Sequence, residues 1–367
     1  MSAELEEIVY SIALRACPLV GDVNFMKLVS STGSAKETWN LSKSMLREVS
    51  GIGTQISKEI GNDSYLDFAE KELKFCEKNN IKIRLRHLNQ LPKLLMECSD
   101  APAILYQKGD FDENRKLVSV VGTRKMTNYG RKFIAELMEQ LEGKNITIVS
   151  GLALGTDACA HQEALNHSLP TIGVLAHGLH TIYPSAHSVM AREMIEKGGA
   201  LLSEFNSNHK PDREHFLQRN RVVAGLSGLT IVVESAFGGG SMSTVSHANG
   251  YNREVFALPG RVSDKYSQGC NLIIAQHKAR IISSFQDILD ELGDDEPRQT
   301  QLFAPKEIEL DENIKPIYRV IEENSPISLD DISLKLDIPA FKLLPILLDL
   351  ELMGYIKSLS GRQYAIN

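Results

Sequence analysis

Residues 118 to 130 read V-S-V-V-G-T-R-K-M-T-N-Y-G, and this run decides the fold class. A short apolar stretch stops at Gly122, a hydroxyl and a guanidinium follow at Thr123 and Arg124, and a helix is expected from near Thr127. Strands made of near-continuous Val, Ile and Leu need cover on both faces, which a parallel sheet flanked by helices provides. The same grammar repeats downstream. Strands are expected at Ile146 to Ser150, Thr171 to Leu175, Ala200 to Ser203, Leu229 to Val233 and Glu254 to Ala257, with a short one at Arg280 to Ile282. Helical stretches separate them, so residues 76 to 292 read as a Rossmann-like α/β core.

Working outward, residues 1 to 75 carry helical periodicity in Leu5, Ile8, Val9, Ile12 and Ala13, and are expected to form a helical domain. Within it, residues 46 to 60 have the pattern of a helix-hairpin-helix around Gly51-Ile52-Gly53. That turn either presents amides to a phosphate or only joins two helices. Residues 293 to 310 are acidic and bear proline, which predicts a linker. Residues 311 to 367 resume helical periodicity. A helix, turn and helix over 330 to 357, a turn at Gly354 and a return strand over 361 to 366 predict a winged helix.

Composition narrows the function. A chain of 367 residues has room for two or three cores, and 43% hydrophobic with 24% charged residues is globular composition. No apolar run approaches the roughly 20 residues that span a bilayer, and the acidic M-S-A-E-L-E-E start lacks signal-peptide features. A cytoplasmic protein without a membrane partner is expected. Five scattered cysteines with no C-x-x-C pair read as reduced thiols. A net charge of -7 argues against coating duplex DNA by bulk electrostatics, so any nucleic acid must be held by a local basic patch or by backbone amides.

In an open parallel sheet, ligands gather beyond the carboxyl ends of the strands, so the loops there carry the candidates. Gly122, Thr123 and Arg124 suit an anion through close backbone approach, a hydroxyl and a guanidinium. S-G-L-A-L-G-T-D-A-C-A-H (150 to 161) supplies Gly151, Gly155 and Thr156, with Asp157 as a cap for a helix beginning at Ala158. His161, one turn on, is either bonded within the fold or in contact with a ligand. Arg219, Asn220 and Arg221 suggest a clamp on a phosphodiester backbone, unless one arginine pairs internally with Asp157 or Glu234. Gly240, Ser241 and Thr244 follow another strand as an anion cradle. The three histidines of residues 176 to 187 match no standard zinc spacing, so no metal is expected. G-x-x-x-x-G-K-[ST] and G-x-S-x-G are absent, as is G-x-G-x-x-G at the first α/β junction, so neither a catalytic set nor a cofactor is expected.

Together these loops resemble the bacterial DNA-processing protein A family (DprA, also called Smf). The matching elements are V-V-G-T-R (120 to 124), residues 150 to 161, G-L-H-T-I-Y-P (178 to 184), L-L-S-E-F (201 to 205), F-L-Q-R-N-R-V-V-A-G-L-S (216 to 227), G-S-M-S-T (240 to 244), A-L-P-G (257 to 260) and G-C-N-L-I-I (269 to 274). They follow the family's order. The resemblance implies an extended Rossmann-like core that binds single-stranded DNA, forms a homodimer and helps load RecA recombinase during natural transformation. It places Gly122, Thr123 and Arg124 in the anion pocket with Gly240, Ser241 and Thr244 nearby; Asp157, His161, Tyr183, Pro184 and Glu234 are read as loop organisers around it. His180 stands where the family usually has Asp, which puts in doubt any role carried by that acid. The competing reading is a nucleotide or nucleoside-phosphate hydrolase in the same pocket, with Glu234 or Asp157 as acid or base. A ligand-sensing transcriptional regulator is a third, which the acids Asp349 and Glu351 in the expected recognition helix disfavour.

Overall fold

The structure is a computed structural model describing residues 2 to 293, 314 to 352, 355 to 359 and 361 to 366. The turn expected at Gly354 and all but the first residue of the expected linker lie outside these residues. The chain divides into two units, Met1–Glu296 and Pro297–Asn367.

The first unit opens with helices α1 (Ala3–Ala16), α2 (Asp22–Thr32), α3 (Ala35–Trp39), α4 (Lys43–Glu48), α5 (Thr54–Glu59) and α6 (Asp63–Lys78). Gly51, with φ +88°, makes the α4 to α5 turn, and Gly53 caps α5. The boundary expected at residue 75 falls inside α6. The helices also share one apolar core with the sheet: Ile12, Phe25, Leu28 and Ile60 belong to the same buried cluster as Ile81, Ile104, Tyr106 and Leu201.

The sheet contains β1 (Ile81–Leu85), β2 (Ile104–Gly109), β3 (Lys116–Val121), β4 (Ile146–Ser150), β5 (Thr171–Leu175), β6 (Ala200–Ser203), β7 (Leu229–Val232), β8 (Glu254–Ala257) and β9 (Arg280–Ile281). Their order is β1-β2-β6-β5-β4-β3-β7-β8-β9, parallel from β6 to β9 and antiparallel at the β1 and β2 edge. The α/β class and its parallel strands are as the sequence predicts. Alternate residues pack to opposite faces, as the pleat requires. On β3, Val118 and Val120 enter one buried cluster while Leu117 and Val121 enter another. β1 and β2 were not expected from the sequence. β1 is an edge strand whose Lys82 and Arg84 break the apolar run; they pair with Asp110 and Glu113, a charged edge that resists pairing with another chain.

The remaining helices of this unit are α7 (Lys93–Met96), α8 (Asn128–Leu141), α9 (Thr156–Asn166), α10 (Ser188–Glu196), α11 (Arg213–Leu226), α12 (Ser241–Gly250), α13 (Gln268–Ala275) and α14 (Phe285–Leu292). From β3 the chain builds outward through β4, β5 and β6, then returns through α11 to lay β7 on the other side of β3. This reversal of direction at β3 opens a crevice beyond its carboxyl end.

The second unit is a winged helix: α15 (Lys315–Asn324), β10 (Ile327–Ser328), α16 (Leu329–Leu336), α17 (Ala340–Leu352), β11 (Ile356–Leu359) and β12 (Gln363–Ile366), with an antiparallel sheet ordered β10-β12-β11. Ile317, Ile321, Ile332, Leu343, Leu347 and Leu350 form its core. The outer face of α17 exposes Phe341, Leu344 and Leu348.

Candidate functional site

A cleft of about 970 Å³ occupies the crevice beyond β3. Its walls are the loops after β3, β4 and β7 together with the first turns of α11 and the start of α12.

The β3 loop is held from two sides. Thr123 N–H donates to the Glu234 carbonyl at 2.7 Å, and the Thr156 N–H and hydroxyl each donate to the Thr123 carbonyl at 3.1 Å. A Cβ on Gly122 would lie 2.5 Å from Thr156 Oγ1 and 2.8 Å from the Glu234 carbonyl, so only glycine permits this approach. The buried Glu234 carboxylate accepts from Thr127 N–H at 2.8 Å and from the Thr127 hydroxyl, tying the loop after β7 to the cap of α8. Arg124 projects from this pinned turn. It is exposed, makes no salt bridge among the described residues, and its guanidinium carbon stands 4.8 Å from the Phe216 ring centroid.

Arg219 is a different kind of cation. Buried at 4% exposure, it donates to the Gly151 carbonyl at 2.6 Å and to the Val174 carbonyl, bracing the ends of β4 and β5. Beside it, burial pushes the Asp157 carboxyl above its ordinary range while Arg219 pulls it back; burial likewise lowers Arg219 against the pull of Asp157. Asn220 donates to the Gly240 carbonyl at 3.2 Å and to the Ser243 hydroxyl at 2.8 Å, joining α11 to the glycine loop. Gly240 caps α12 without a side-chain hydrogen bond, and Ser241 donates to the Ser235 hydroxyl at 2.8 Å. Loose amides at a helix start, with flanking hydroxyls and arginines, suit an anion.

The cleft brings together Gly122, Thr123, Arg124, Gly151, Arg219, Asn220, Gly240, Ser241 and Thr244, with Asp157 and Tyr183. Gly155 and Thr156 stand behind the wall and shape it. Arg221 requires a correction: it does not line the cleft, and pairs with Asp22 at 2.9 Å and with Glu204. Residues i and i+2 on a helix point to different sides, so Arg219 and Arg221 cannot form one clamp. The Asp157 cap also needs correction. The helix begins at Thr156 with Gly155 in the cap position at φ +79° and ψ −120°, and Asp157 instead accepts from Ala153 N–H at 3.3 Å.

His161 is fully buried outside the cleft, its Nδ1 2.6 Å from the Thr171 hydroxyl. Burial lowers its pKa to about 3, which keeps the ring neutral. Glu234 and Pro184 also lie outside the lining, and the peptide bond between Tyr183 and Pro184 is cis. His177 is buried, His187 lies 2.9 Å from the Leu152 carbonyl, and no group of three or more His, Cys, Asp or Glu among the described residues is placed to hold a metal ion. No helix among them is long and apolar enough to cross a membrane.

Sequence reasoning missed Arg213, Phe216 and Leu217. The signal was available: Asp212 caps α11, and positions 213, 216, 217 and 220 then share one helix face, all lining the cleft.

A family model described as DNA recombination-mediator protein A matches residues 82–293, and one described as DprA winged helix domain matches 302–362. The chain is 33% identical over 278 residues to Protein Smf of Escherichia coli, covering 74% of this chain and 73% of that one. It is 39% identical over 217 residues to DNA processing protein DprA of Bacillus subtilis, covering 58% and 72%. Among solved structures, DprA of Streptococcus pneumoniae superposes with a TM-score of 0.65 at 31% identity, over 77% of this chain and 97% of that one. DNA processing protein A of Helicobacter pylori, described in terms of its single-stranded DNA binding mode, gives 0.51 at 30%, over 58% and 95%.

Proposed function

The chain belongs to the DNA recombination-mediator protein A family, and from that premise we propose that it is a non-enzymatic mediator that grips single-stranded DNA by its phosphates in the β3 cleft. The observation that carries this reading is Arg124, an exposed cation without an ion pair among the described residues, projecting from a rigid glycine turn beside an aromatic ring. Phosphate contact needs a positioned cation and amides, and base stacking needs a ring face; Arg124, the α12 start, Phe216 and Tyr183 are those parts. Buried Arg219 contributes a fixed positive field and holds the floor. The hydrolase alternative needs Glu234 or Asp157 free to act as acid or base, whereas Glu234 is spent on Thr127, and Asp157, though it lines the cleft, accepts from the Ala153 amide beside the Arg219 charge.

Arg124→Ala is expected to weaken single-strand binding about 10-fold at low salt and to reduce the salt slope by about 0.7, because one phosphate contact is lost. Fluorescence anisotropy with oligonucleotides of several sequences measures both, and an unchanged dissociation constant removes Arg124 from the site. Turnover of any nucleotide in a panel, abolished by Glu234→Gln, would restore the hydrolase reading.

The family premise further supports a cytoplasmic homodimer that helps load RecA on incoming strands. Faster RecA nucleation on single-stranded DNA in its presence is the expected result. The winged helix is proposed to contact protein or simply pack: α17 shows solvent Phe341, Leu344 and Leu348, with Lys342 as its one base. Residues 305 to 367 alone should therefore leave a duplex unshifted in an electrophoretic assay; tight retardation refutes this.

A further inference from the structure

Beside the cleft lies a second hollow of about 490 Å³, lined by residues 180 to 185 with Lys210 and Pro211. Tyr183 and Pro211 line both hollows and form the wall they share. The groove offers the Thr181 and Ser185 hydroxyls, the His180 ring and the Lys210 ammonium, and no carboxylate among the described residues lines it. In a chain of net charge -7, an acid-free groove with an exposed lysine that joins no ion pair among the described residues is a local attraction for an anion. Its two loops are tied before any ligand arrives. Gly178 N–H donates to the His209 carbonyl at 3.0 Å, and His215 Nδ1 donates to the Lys210 carbonyl at 3.3 Å. Tyr183 stands half exposed at the threshold, its ring 6.2 Å from that of Phe216 in an edge arrangement.

We propose that a strand bound in the cleft continues across Tyr183 into this groove, where Lys210 and His180 form a second phosphate subsite and the Tyr183 ring supports the base between them. The proposal rests on the single-strand reading above and extends it from a spot to a track. A track has a property a spot lacks: the outer subsite acts only on strands long enough to reach it.

The test compares oligothymidylates of about 4 and about 12 nucleotides on the full chain. Lys210→Ala is expected to weaken the longer strand about 5-fold and lower its salt slope by about 0.7, while leaving the shorter within 2-fold of wild type. His180→Glu, which places a carboxylate in the groove, should weaken the longer strand more. Arg124→Ala should weaken both lengths. The groove is overturned if Lys210→Ala and His180→Glu change neither length or change both alike. That failure is distinct from failure of the reading beneath it, in which the wild-type chain retains neither strand or Arg124→Ala changes nothing.

Discussion

Arg221→Ala is expected to cost the Met1–Glu296 unit about 3–5 kcal/mol, because it strands a buried carboxylate. Glu204 sits with its side chain 2% exposed, and one of its oxygens accepts from Arg221 and from Gln218 at 2.7 Å. Burial already pushes this carboxyl upward, against the pull of Arg221. Asp22 is less dependent, since it retains Arg15 at 3.1 Å and the Ala103 amide at 3.0 Å. The loss should therefore be recovered largely by Arg221→Met with Glu204→Gln, which removes the charge together with its partner. Urea unfolding of the two variants measures this. Equal instability of both would assign the effect to lost packing, and single-strand affinity of the folded single variant should match wild type.

Gly155→Ala should destabilise the fold by about 3 kcal/mol and abolish most single-strand binding, for two reasons that act together. The backbone at φ +79° and ψ −120° is strained for any side chain, and the added Cβ would overlap the Thr123 carbonyl and the Arg124 backbone. Gly155 does not line the cleft, so lost binding would come through displacement of the Arg124 turn. Thermal unfolding together with anisotropy checks both parts. A variant that melts normally and binds normally would show that the turn is not rigid.

Much of this was legible in the sequence because both-face burial leaves a plain mark: the strands from β3 to β8 are short and mostly apolar, and inside them only small or hydroxyl residues such as Ser119, Thr147, Gly173 and Thr230 interrupt the run. The glycine loops after them were legible for the same reason, since tight strand-to-helix junctions admit few residues. What escaped depended on partners remote in the chain. Nothing near Arg221 announces Asp22, about 200 positions away, and an aromatic in an amphipathic helix such as Phe216 reads as core until the opposing loop is placed. β1 escaped because edge strands carry charge by necessity, and Lys82 and Arg84 hide its extended pattern.

The apolar core shared between the first helices and the sheet also sets a timetable. Ile12 leaves the ribosome early, whereas Leu201, in the same cluster, is added about 190 residues later. At about 5–20 residues per second, that is a wait of roughly 10–40 s. During synthesis the nascent helices are thus a greasy surface awaiting β2 and β6, and chaperone demand should be greatest before β6 is made.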